Sequence, residues 1–444
     1  MSIYQFLAYL AVVYYLIYYS IHSLFLALGY REASRWKKLG YLEETHRLSR
    51  SELVPPVSLV IELHTGGEEA VGWVDHALAQ RFPETETIVM CRPGNEEMIA
   101  TLVGTYFLRR VDRVYKRVLE APQPLAVFQS DDRRLVLVLM ETESRGKALN
   151  MAVNLSRYPL VAVAGRGVRL EEDALLRLVR PFMMGERYAP LAMGVSLPLD
   201  MEEGNQLPPR RVTRFALMES LRVQLAYQAG APSLGGPVAT YSPLMVFRKE
   251  DLVAAGGFDN RLPFMGAEAE MTLRLHRSMR DRGKAYRFAF LPQLLSRRPF
   301  PRTWRDHFRE SGARRRGIAD ALWSGRDMLL KARYGYLGTL YIPIFWLFIQ
   351  FAAAVDIAAY AAVISFFILG KIGWGFLAAF LAASLAYPAV VGVGAVAAAR
   401  HELEILGGHG ALLYGYAAST QLWFRQITAL AAFFVFRGGG KEEA

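Results

Sequence analysis

Long runs without charged residues occupy both ends of this chain. Residues 3–28 contain no Lys, Arg, Asp or Glu, and a helix of that length crosses a bilayer. Near the C-terminus, residues 337–370 carry a single acid, Asp356, and residues 372–399 carry no charge. Each of these three runs is expected to form one membrane-spanning helix.

A fourth apolar segment, 410–436, contains Arg425 near its middle. Because a charged side chain is costly in lipid, this segment is expected to be interfacial or re-entrant unless it forms a further span. The C-terminal region is therefore predicted to hold two to three spans or interfacial helices.

Between the apolar ends, short apolar runs alternate with amphipathic helical patterns such as 69–80 and 171–182. This alternation is typical of an α/β fold. The predicted organisation is an N-terminal transmembrane anchor (1–30), an α/β domain (31–335) and a C-terminal membrane region (336–444). The strand candidates are Val57–Leu63, Thr87–Met90, Arg134–Met140, Leu160–Ala164 and Met193–Leu197.

The first apolar run is interpreted as a retained anchor. It has no basic residues before it and no small-residue cleavage site at its end, both of which a signal peptide needs. Its many tyrosines suit the membrane interface. The positive-inside rule then places the N-terminus outside and the main domain in the cytoplasm, as in an integral protein of a bacterial-type inner membrane. The basic residues that follow the run are Arg31, Arg35, Lys37, Lys38, Arg47 and Arg50.

Composition agrees with a membrane protein. The 444 residues are 53% hydrophobic and carry a net charge of +11, part of which is membrane-proximal charge attracted to anionic lipid. No basic-aromatic motif for nucleic acid is present, so nucleic acid is not an expected partner. The single cysteine, Cys91, excludes an internal disulfide framework and agrees with a reducing compartment.

Several stretches of the middle region form a series with a characteristic order and spacing. They are Val57-Ser58-Leu59-Val60-Ile61, Gly146-Lys147-Ala148-Leu149-Asn150, residues 158–182, Phe247-Arg248-Lys249, Gly256-Gly257-Phe258 and Arg274-Leu275-His276-Arg277. This series resembles the membrane-bound family-2 glycosyltransferases, of the kind that build polysaccharides. The resemblance implies a GT-A fold, in which a Rossmann-like nucleotide half is joined to an acceptor half in the cytoplasm.

The metal motif of that family is missing. Where the family has Asp-x-Asp after a buried strand, this chain has Gly165, Arg166 and Gly167. Mg²⁺ and Mn²⁺ prefer oxygen ligands, glycine has no side chain, and arginine repels a cation. No metal site and no cofactor are therefore expected.

The nucleotide-binding positions are changed as well. Arg92-Pro93-Gly94 stands where the family has an Asp-Gly-Ser segment, although Pro-Gly is also a plain turn signal. Arg92, Lys147, Asn150 and Arg166 are the candidates for contacting a nucleotide diphosphate. For Lys147, ordinary surface charge is an equal alternative.

The catalytic and acceptor positions keep some of their charge. Glu268 stands where the resemblance implies an aspartate that serves as general base, and the alternative is an acid at a helix N-terminus. Glu219, Glu310 and Arg314 are the candidates on the acceptor side. The tryptophan on which an acceptor sugar stacks in the family is absent here, and Pro299 replaces a family acid.

Two functions remain open from the sequence. The first is a catalytically impaired glycosyltransferase-like subunit for polysaccharide or glycolipid assembly, which binds an active homologue or a nascent glycan and is not expected to bind a sugar nucleotide. The alternative is an active, metal-independent transferase in which Arg166 and Arg92 hold the diphosphate and Glu268 is the base. A membrane scaffold with a basic strip between Arg297 and Arg316 is compatible with the first.

Overall fold

The computed structural model describes residues 3–38, 48–63, 68–142, 144–183, 188–199, 208–238, 242–262, 266–399 and 410–428. Within these residues, a ten-stranded sheet lies in the order β3-β4-β5-β2-β1-β6-β9-β8-β10-β7. Its strands are β1 Val57–Leu63, β2 Thr85–Cys91, β3 Arg109–Arg110, β4 Ala126–Gln129, β5 Leu135–Leu139, β6 Leu160–Ala164, β7 Arg169–Leu170, β8 Leu191–Pro198, β9 Leu244–Arg248 and β10 Ala289–Arg298.

The sheet has a parallel half and a mixed half. Strands β5, β2, β1 and β6 are parallel neighbours. Strand β9 then runs antiparallel to both β6 and β8, and β8 is parallel to β10. Strands β1 and β2 are buried along their whole length, as expected for parallel strands that are covered on both faces. The predicted α/β fold is confirmed.

Helices cover both faces of the sheet. Alternate residues of β1 point to opposite faces, so Val60 joins a core with Leu149 while Leu59 joins a second core with Val74. The helices of this part are α2 Glu68–Leu78, α3 Glu96–Thr105, α4 Arg145–Leu155, α5 Ala174–Met183, α6 Arg211–Val223, α7 Lys249–Ala254, α8 Ala267–Asp281 and α9 Trp304–Ser324.

Two of the stretches that carry the family resemblance pack against each other. The Asn150 side chain accepts a hydrogen bond from the Phe258 amide at 2.8 Å and donates to the Phe258 carbonyl at 3.0 Å. A Cβ at Gly146 would lie only 2.2 Å from the carbonyl oxygen of Asp259. Gly257 has a φ of +72°, which few side chains tolerate. These residues therefore dock α4 onto the 256–259 turn.

Most predicted elements are found close to their expected bounds. Strands β1 and β6 match the expected ranges, and β2, β5 and β8 differ by at most two residues at either end. The helices expected at 69–80 and 171–182 are found as α2, Glu68–Leu78, and α5, Ala174–Met183. Strands β9 and β10 were not among the expected strands. Strand β10 contains Pro292 and ends in Arg297 and Arg298, so its sequence lacks the apolar run of a buried strand.

Apolar helices flank the sheet in sequence. Helix α1, Ile3–Lys38, is longer than the expected anchor. The predicted single span at 337–370 is instead two helical segments, α10 over 337–350 and α11 Ala352–Ile368, with a break at Phe351. Helix α12 covers 374–398, and α13 covers 410–428; the rest of the 410–436 segment lies outside the described residues. By length and composition, Ile3–Trp36 and Trp374–Ala398 are the two candidate spans among the described residues.

The charge at Arg425 is neutralised inside the helical bundle. One guanidinium nitrogen, Nη1, donates to Oδ2 of Asp356 at 2.7 Å, and the Tyr15 hydroxyl donates to Oδ1 of Asp356 at 2.8 Å. The Arg425 guanidinium also lies 5.8 Å from the centre of the Tyr19 ring. Helices α1, α11 and α13 are thus held together by one buried ion pair. This pairing explains how two charged residues occupy otherwise apolar helices.

Replacing Asp356 with leucine leaves the Arg425 charge buried without its acid. We expect D356L to lower the free energy of unfolding by about 3–5 kcal/mol. The double variant D356L/R425M removes both charges and should recover most of that loss. Reversible denaturant unfolding of the four members of this cycle in detergent measures the coupling. A double variant as unstable as D356L would contradict the role of the ion pair.

Candidate functional site

The charged residues of the candidate site lie where the parallel strands end. Glu62 is near the end of β1, Arg92 follows β2, and Arg166 follows β6. Carboxyl ends of parallel strands meet at one edge of the sheet, which is where α/β proteins bind their ligands. Arg145 joins these residues from the first turn of α4, whose N-terminus is capped by the Ser144 side chain.

A buried ion triad closes this edge. Arg145 donates from Nε to Oε1 of Glu62 at 2.6 Å, and its Nη1 is bonded to Oε1 of Glu268. The side chains of Glu62, Arg145 and Glu268 are exposed by only 6%, 4% and 3%. The candidate base at the start of α8 is therefore in an ion pair and is shielded from solvent.

Burial and charge act on Glu268 in opposite directions. Burial raises the pKa of Glu268 above its usual value, and the neighbouring Arg145 partly offsets this effect. A higher pKa by itself makes a carboxylate a better general base near neutral pH. The hydrogen bond from Arg145, however, occupies one oxygen of Glu268. The other oxygen, Oε2, is buried and finds no hydrogen-bond partner among the described parts of the chain.

Two more arginines surround the triad. Nε of Arg166 lies 4.0 Å from Oε2 of Glu62, and the Arg166 side chain is 42% exposed. Burial lowers the pKa of Arg166, and Glu62 works against this shift. Arg92, Arg145 and Arg166 all line one small cavity of about 30 Å³. Such a cluster is suited to an anion such as a diphosphate. Across the described residues, no group of three His, Cys, Asp or Glu side chains is placed to hold a metal ion.

The turn that replaces the metal motif has no room for a carboxylate at position 167. Gly167 has a φ of +63°, and a Cβ on it would lie 2.7 Å from Cγ of Pro299. Trp73 lies next to the same spot. An aspartate at position 167 would thus collide with the residue that also departs from the family pattern. Gly165, Gly167, Trp73 and Pro299 line a neighbouring cavity of about 280 Å³.

The other two nucleotide candidates are placed differently. Asn150 is 2% exposed, and its amide holds the backbone of the 256–259 turn as described above, so its side chain is accounted for without a ligand. Lys147 is half-buried on α4, and its side chain forms no hydrogen bond with any residue that the structure describes. Neither of them lines the cavity shared by the three arginines.

The three acceptor-side candidates meet in a second cavity. Glu219 of α6 and Glu310 and Arg314 of α9 line a space of about 200 Å³, named here the junction cavity, that lies between the α/β part and the apolar helices. Glu310 accepts from Arg298 at 2.8 Å, and Oε2 of Glu219 lies 3.6 Å from Nε2 of His307. Glu268 is not in its lining. The candidate base therefore lies outside the cavity that holds the three acceptor-side candidates.

The sequence pattern did not single out Arg145 and Glu62. One feature of the sequence could have identified Glu62: it is a charged residue within the strand Val57–Leu63, whose residues are otherwise apolar apart from Ser58. A charge in a buried strand requires a partner, and Arg145 directly precedes the Gly146-Lys147 stretch. The pairing itself spans 83 residues to Glu62 and 123 to Glu268.

This chain matches no known family model and no curated protein sequence. Among solved structures, the mannosyltransferase PcManGT from Pyrobaculum calidifontis in complex with GDP-Man and Mn²⁺ is similar to it. That match covers 91% of this chain and 99% of the other at 15% identity, with a TM-score of 0.48. S. aureus TarS 1–349 in complex with UDP-GlcNAc is similar over 84% of this chain and 92% of the other, at 12% identity and a TM-score of 0.41. At these values the likeness assigns no metal, donor or acceptor to this chain.

Removing the arginine of the triad leaves two carboxylates buried together. We expect R145M to lower the free energy of unfolding by about 3–5 kcal/mol near neutral pH. The pKa of Glu268 then rises further, so the folded state binds more protons than the unfolded state above about pH 4.3. The loss relative to wild type should therefore grow as the pH rises from about 5 to about 8.

Denaturant unfolding at both pH values measures this effect, with R261M as the control. Arg261 pairs with Asp259 and is itself 89% exposed, and Asp259 keeps Arg274 as a second partner, so the removal of Arg261 should change stability little at either pH. A pH-independent loss in R145M would contradict the triad.

A matched pair of glycines tests the fit between the 165–167 turn and Pro299. Gly167 and Gly283 have φ values of +63° and +64°, but a Cβ on Gly283 meets nothing within 4 Å. G283A should therefore show only the backbone strain of about 1–2 kcal/mol. G167A should lose more, because the new methyl group also meets Pro299. Thermal unfolding measures these losses. Adding G167A to the P299A variant should cost no more stability than G283A costs in the wild type, because the proline ring is then absent. Equal losses of stability in G167A and G283A would exclude the contact with Pro299.

Proposed function

We propose that this protein is a catalytically impaired, glycosyltransferase-like membrane subunit that holds a glycan or a partner enzyme in polysaccharide or glycolipid assembly. One observation carries the proposal: Glu268, the only carboxylate at the implied base position, is buried in an ion pair with Arg145. A general base must reach the acceptor hydroxyl within hydrogen-bond distance. An ion-paired, enclosed carboxylate does not meet that condition.

The donor side supports the same proposal. Transfer of a sugar from a nucleotide in the family depends on a metal held by two aspartates, and this chain has glycines at both positions. The crowding of Gly167 against Pro299 leaves no room for such a ligand. Loss of a metal together with a base removes two contributions that each raise a reaction rate by orders of magnitude.

The apolar helices support attachment to a membrane. Ile3–Trp36 and Trp374–Ala398 are long and apolar enough to cross it. With basic residues just after the first run, the proposed orientation has the N-terminus outside and the α/β part in the cytoplasm. The junction cavity, between that part and the helices, is the proposed place for a bound glycan.

The second candidate function is a metal-independent transferase. It is favoured by the arginine cluster of Arg92, Arg145 and Arg166, since guanidinium groups stabilise a departing diphosphate as a metal does. It is also favoured by the second oxygen of Glu268, which has no hydrogen-bond partner in the described residues. This function requires Glu268 to be released from Arg145 when a donor binds.

Titration calorimetry and a turnover assay on the detergent-purified full-length chain distinguish the two functions. The ligands are UDP-glucose, UDP-N-acetylglucosamine and GDP-mannose, each with and without Mn²⁺. We expect no turnover, no effect of Mn²⁺, and sugar released from the purified protein by acid hydrolysis. Turnover that disappears in E268Q would contradict the impaired subunit and support the transferase.

The matched control for that variant is E270Q. Glu270 is also buried in the first turn of α8, but it pairs with Arg274 at 2.7 Å and not with Arg145. A loss of turnover in E268Q with turnover retained in E270Q would identify Glu268 as the base. Metal-independent nucleotide binding that is lost in R166A would assign the diphosphate to the arginine cluster.

A further inference from the structure

The junction cavity carries more positive than negative charge. Five arginines and three carboxylates line it: Arg222, Arg298, Arg314, Arg315 and Arg425, with Glu219, Glu310 and Asp356. Two of the acids are already in ion pairs, Glu310 with Arg298 at 2.8 Å and Asp356 with Arg425 at 2.7 Å. Only Glu219 is then left to balance three arginines.

Those three arginines have no anion of their own among the residues that the structure describes. Throughout the described residues, the guanidinium groups of Arg222, Arg314 and Arg315 form no hydrogen bond or ion pair, and Nε of Arg222 is buried. Burial alone raises the pKa of Glu219, but Arg314, His307 and Arg222 together hold that pKa below its usual value. Glu219 is therefore already charged, and it cannot neutralise three guanidinium groups. Buried charges are normally paired, so the described lining of the cavity leaves these arginines short of an anion.

Further polar atoms of the wall also lack partners. Within the described structure, the Ser196 hydroxyl, the Tyr227 hydroxyl and Oε1 of Gln421 are buried and form no hydrogen bond. All three residues line the junction cavity. Buried polar groups are almost always satisfied by protein, water or ligand. The wall thus offers both hydrogen-bonding groups and excess positive charge, which is what a polar, anionic ligand requires.

The distribution of polar residues in the cavity wall distinguishes between two possible anions, a lipid phosphate and an acidic saccharide. Polar residues continue from the α/β part onto the apolar helices, where Asp356, Thr420, Gln421 and Thr428 line the same cavity. Apolar residues such as Phe424 lie between these polar ones. A lipid phosphate would place its chain against these helices and needs a wall there that is apolar throughout. A saccharide has hydroxyl groups along its length as well as apolar ring faces, so it matches a wall that mixes polar and apolar residues.

We propose that the junction cavity binds an acidic saccharide, that is, a glycan whose sugar units carry carboxylate or similar anionic groups. The inference rests on the proposed function as a glycan-holding subunit and names the chemical class of the glycan. Arg314 lies where the resemblance implies the acceptor motif from which the stacking tryptophan is missing. A cation in that region recognises charge, whereas a tryptophan recognises the face of any sugar.

Calorimetric titration of the full-length protein in detergent tests the charge preference with one backbone in two forms. The probes are tetragalacturonate and its fully methyl-esterified form, which has the same sugars without the charges. We expect the acid to bind at least about tenfold more tightly than the ester. Raising the salt concentration from about 50 mM to about 300 mM should reduce this difference in affinity between the acid and the ester.

The variants locate the binding in the cavity. R314Q/R315Q should weaken tetragalacturonate binding at least about tenfold and leave ester binding unchanged. R309Q is the control, because Arg309 is exposed on the same helix and outside the cavity lining; it should bind as wild type. If R314Q/R315Q does not fold, as judged by circular dichroism, R222Q takes its place. An equal loss in R309Q would assign the effect to surface charge and overturn the proposal.

Other results overturn the inference in distinguishable ways. Equal affinity for acid and ester would remove the charge preference while leaving a glycan-holding subunit intact. Binding of neither saccharide would remove the acidic saccharide altogether. Dihexanoyl phosphatidic acid, a soluble lipid phosphate, is the third probe. If it bound more tightly than tetragalacturonate and its binding were lost in R314Q/R315Q, the cavity would be assigned to a lipid. Turnover of a sugar nucleotide would instead overturn the impaired-subunit function and not the charge preference.

Discussion

Arg145 fixes the end of the parallel sheet by joining β1, α4 and α8. Its guanidinium contacts Glu62 on one side and Glu268 on the other, and all three side chains are almost completely buried. Because an unpaired buried charge costs far more than a lost surface pair, a change at any one of the three residues alone is expected to destabilise the fold. Glu268, the carboxylate that a transferase would need as a base, therefore helps to hold the fold together. The same oxygen cannot hold Arg145 and accept a proton from a substrate at once.

The protein contains two charged centres with opposite character. At the sheet edge, carboxylates and arginines are in contact with each other; Arg145 lines a cavity of only about 30 Å³, while Glu62 and Arg166 also line the neighbouring cavity of about 280 Å³. In the junction cavity, arginines exceed acids and polar atoms lack partners in the described residues. Charges in contact stabilise a fold, whereas charges in excess around a space favour a ligand. The ion pair of Asp356 and Arg425 supports the second centre, since it brings α11 and α13 together in the wall of the cavity.

The sequence predicted most of the strands whose residues are uniformly buried, although β9 was missed with four of its five residues buried. Strands β1 and β6 were expected at their observed bounds because every residue of them is buried. Strand β10 was missed because Pro292 and the terminal arginines interrupt the apolar run that would indicate a buried strand. Glu219, Glu310 and Arg314 were expected together from the resemblance, and they do share one cavity. Arg145 was not expected, because no local pattern encodes a contact between residues 123 positions apart.

The positions that changed from the family pattern also fit one another. Pro299 occupies the space beside Gly167, while Gly146, Asn150 and Gly257 still lock α4 onto its turn. Packing contacts thus surround positions whose residues differ from the family pattern. Placing a carboxylate at position 167 would require a change at Pro299 as well, since a side chain does not fit beside the proline ring. Even then, Arg145 would still hold Glu268, so no single substitution would supply a carboxylate at position 167 and also release Glu268.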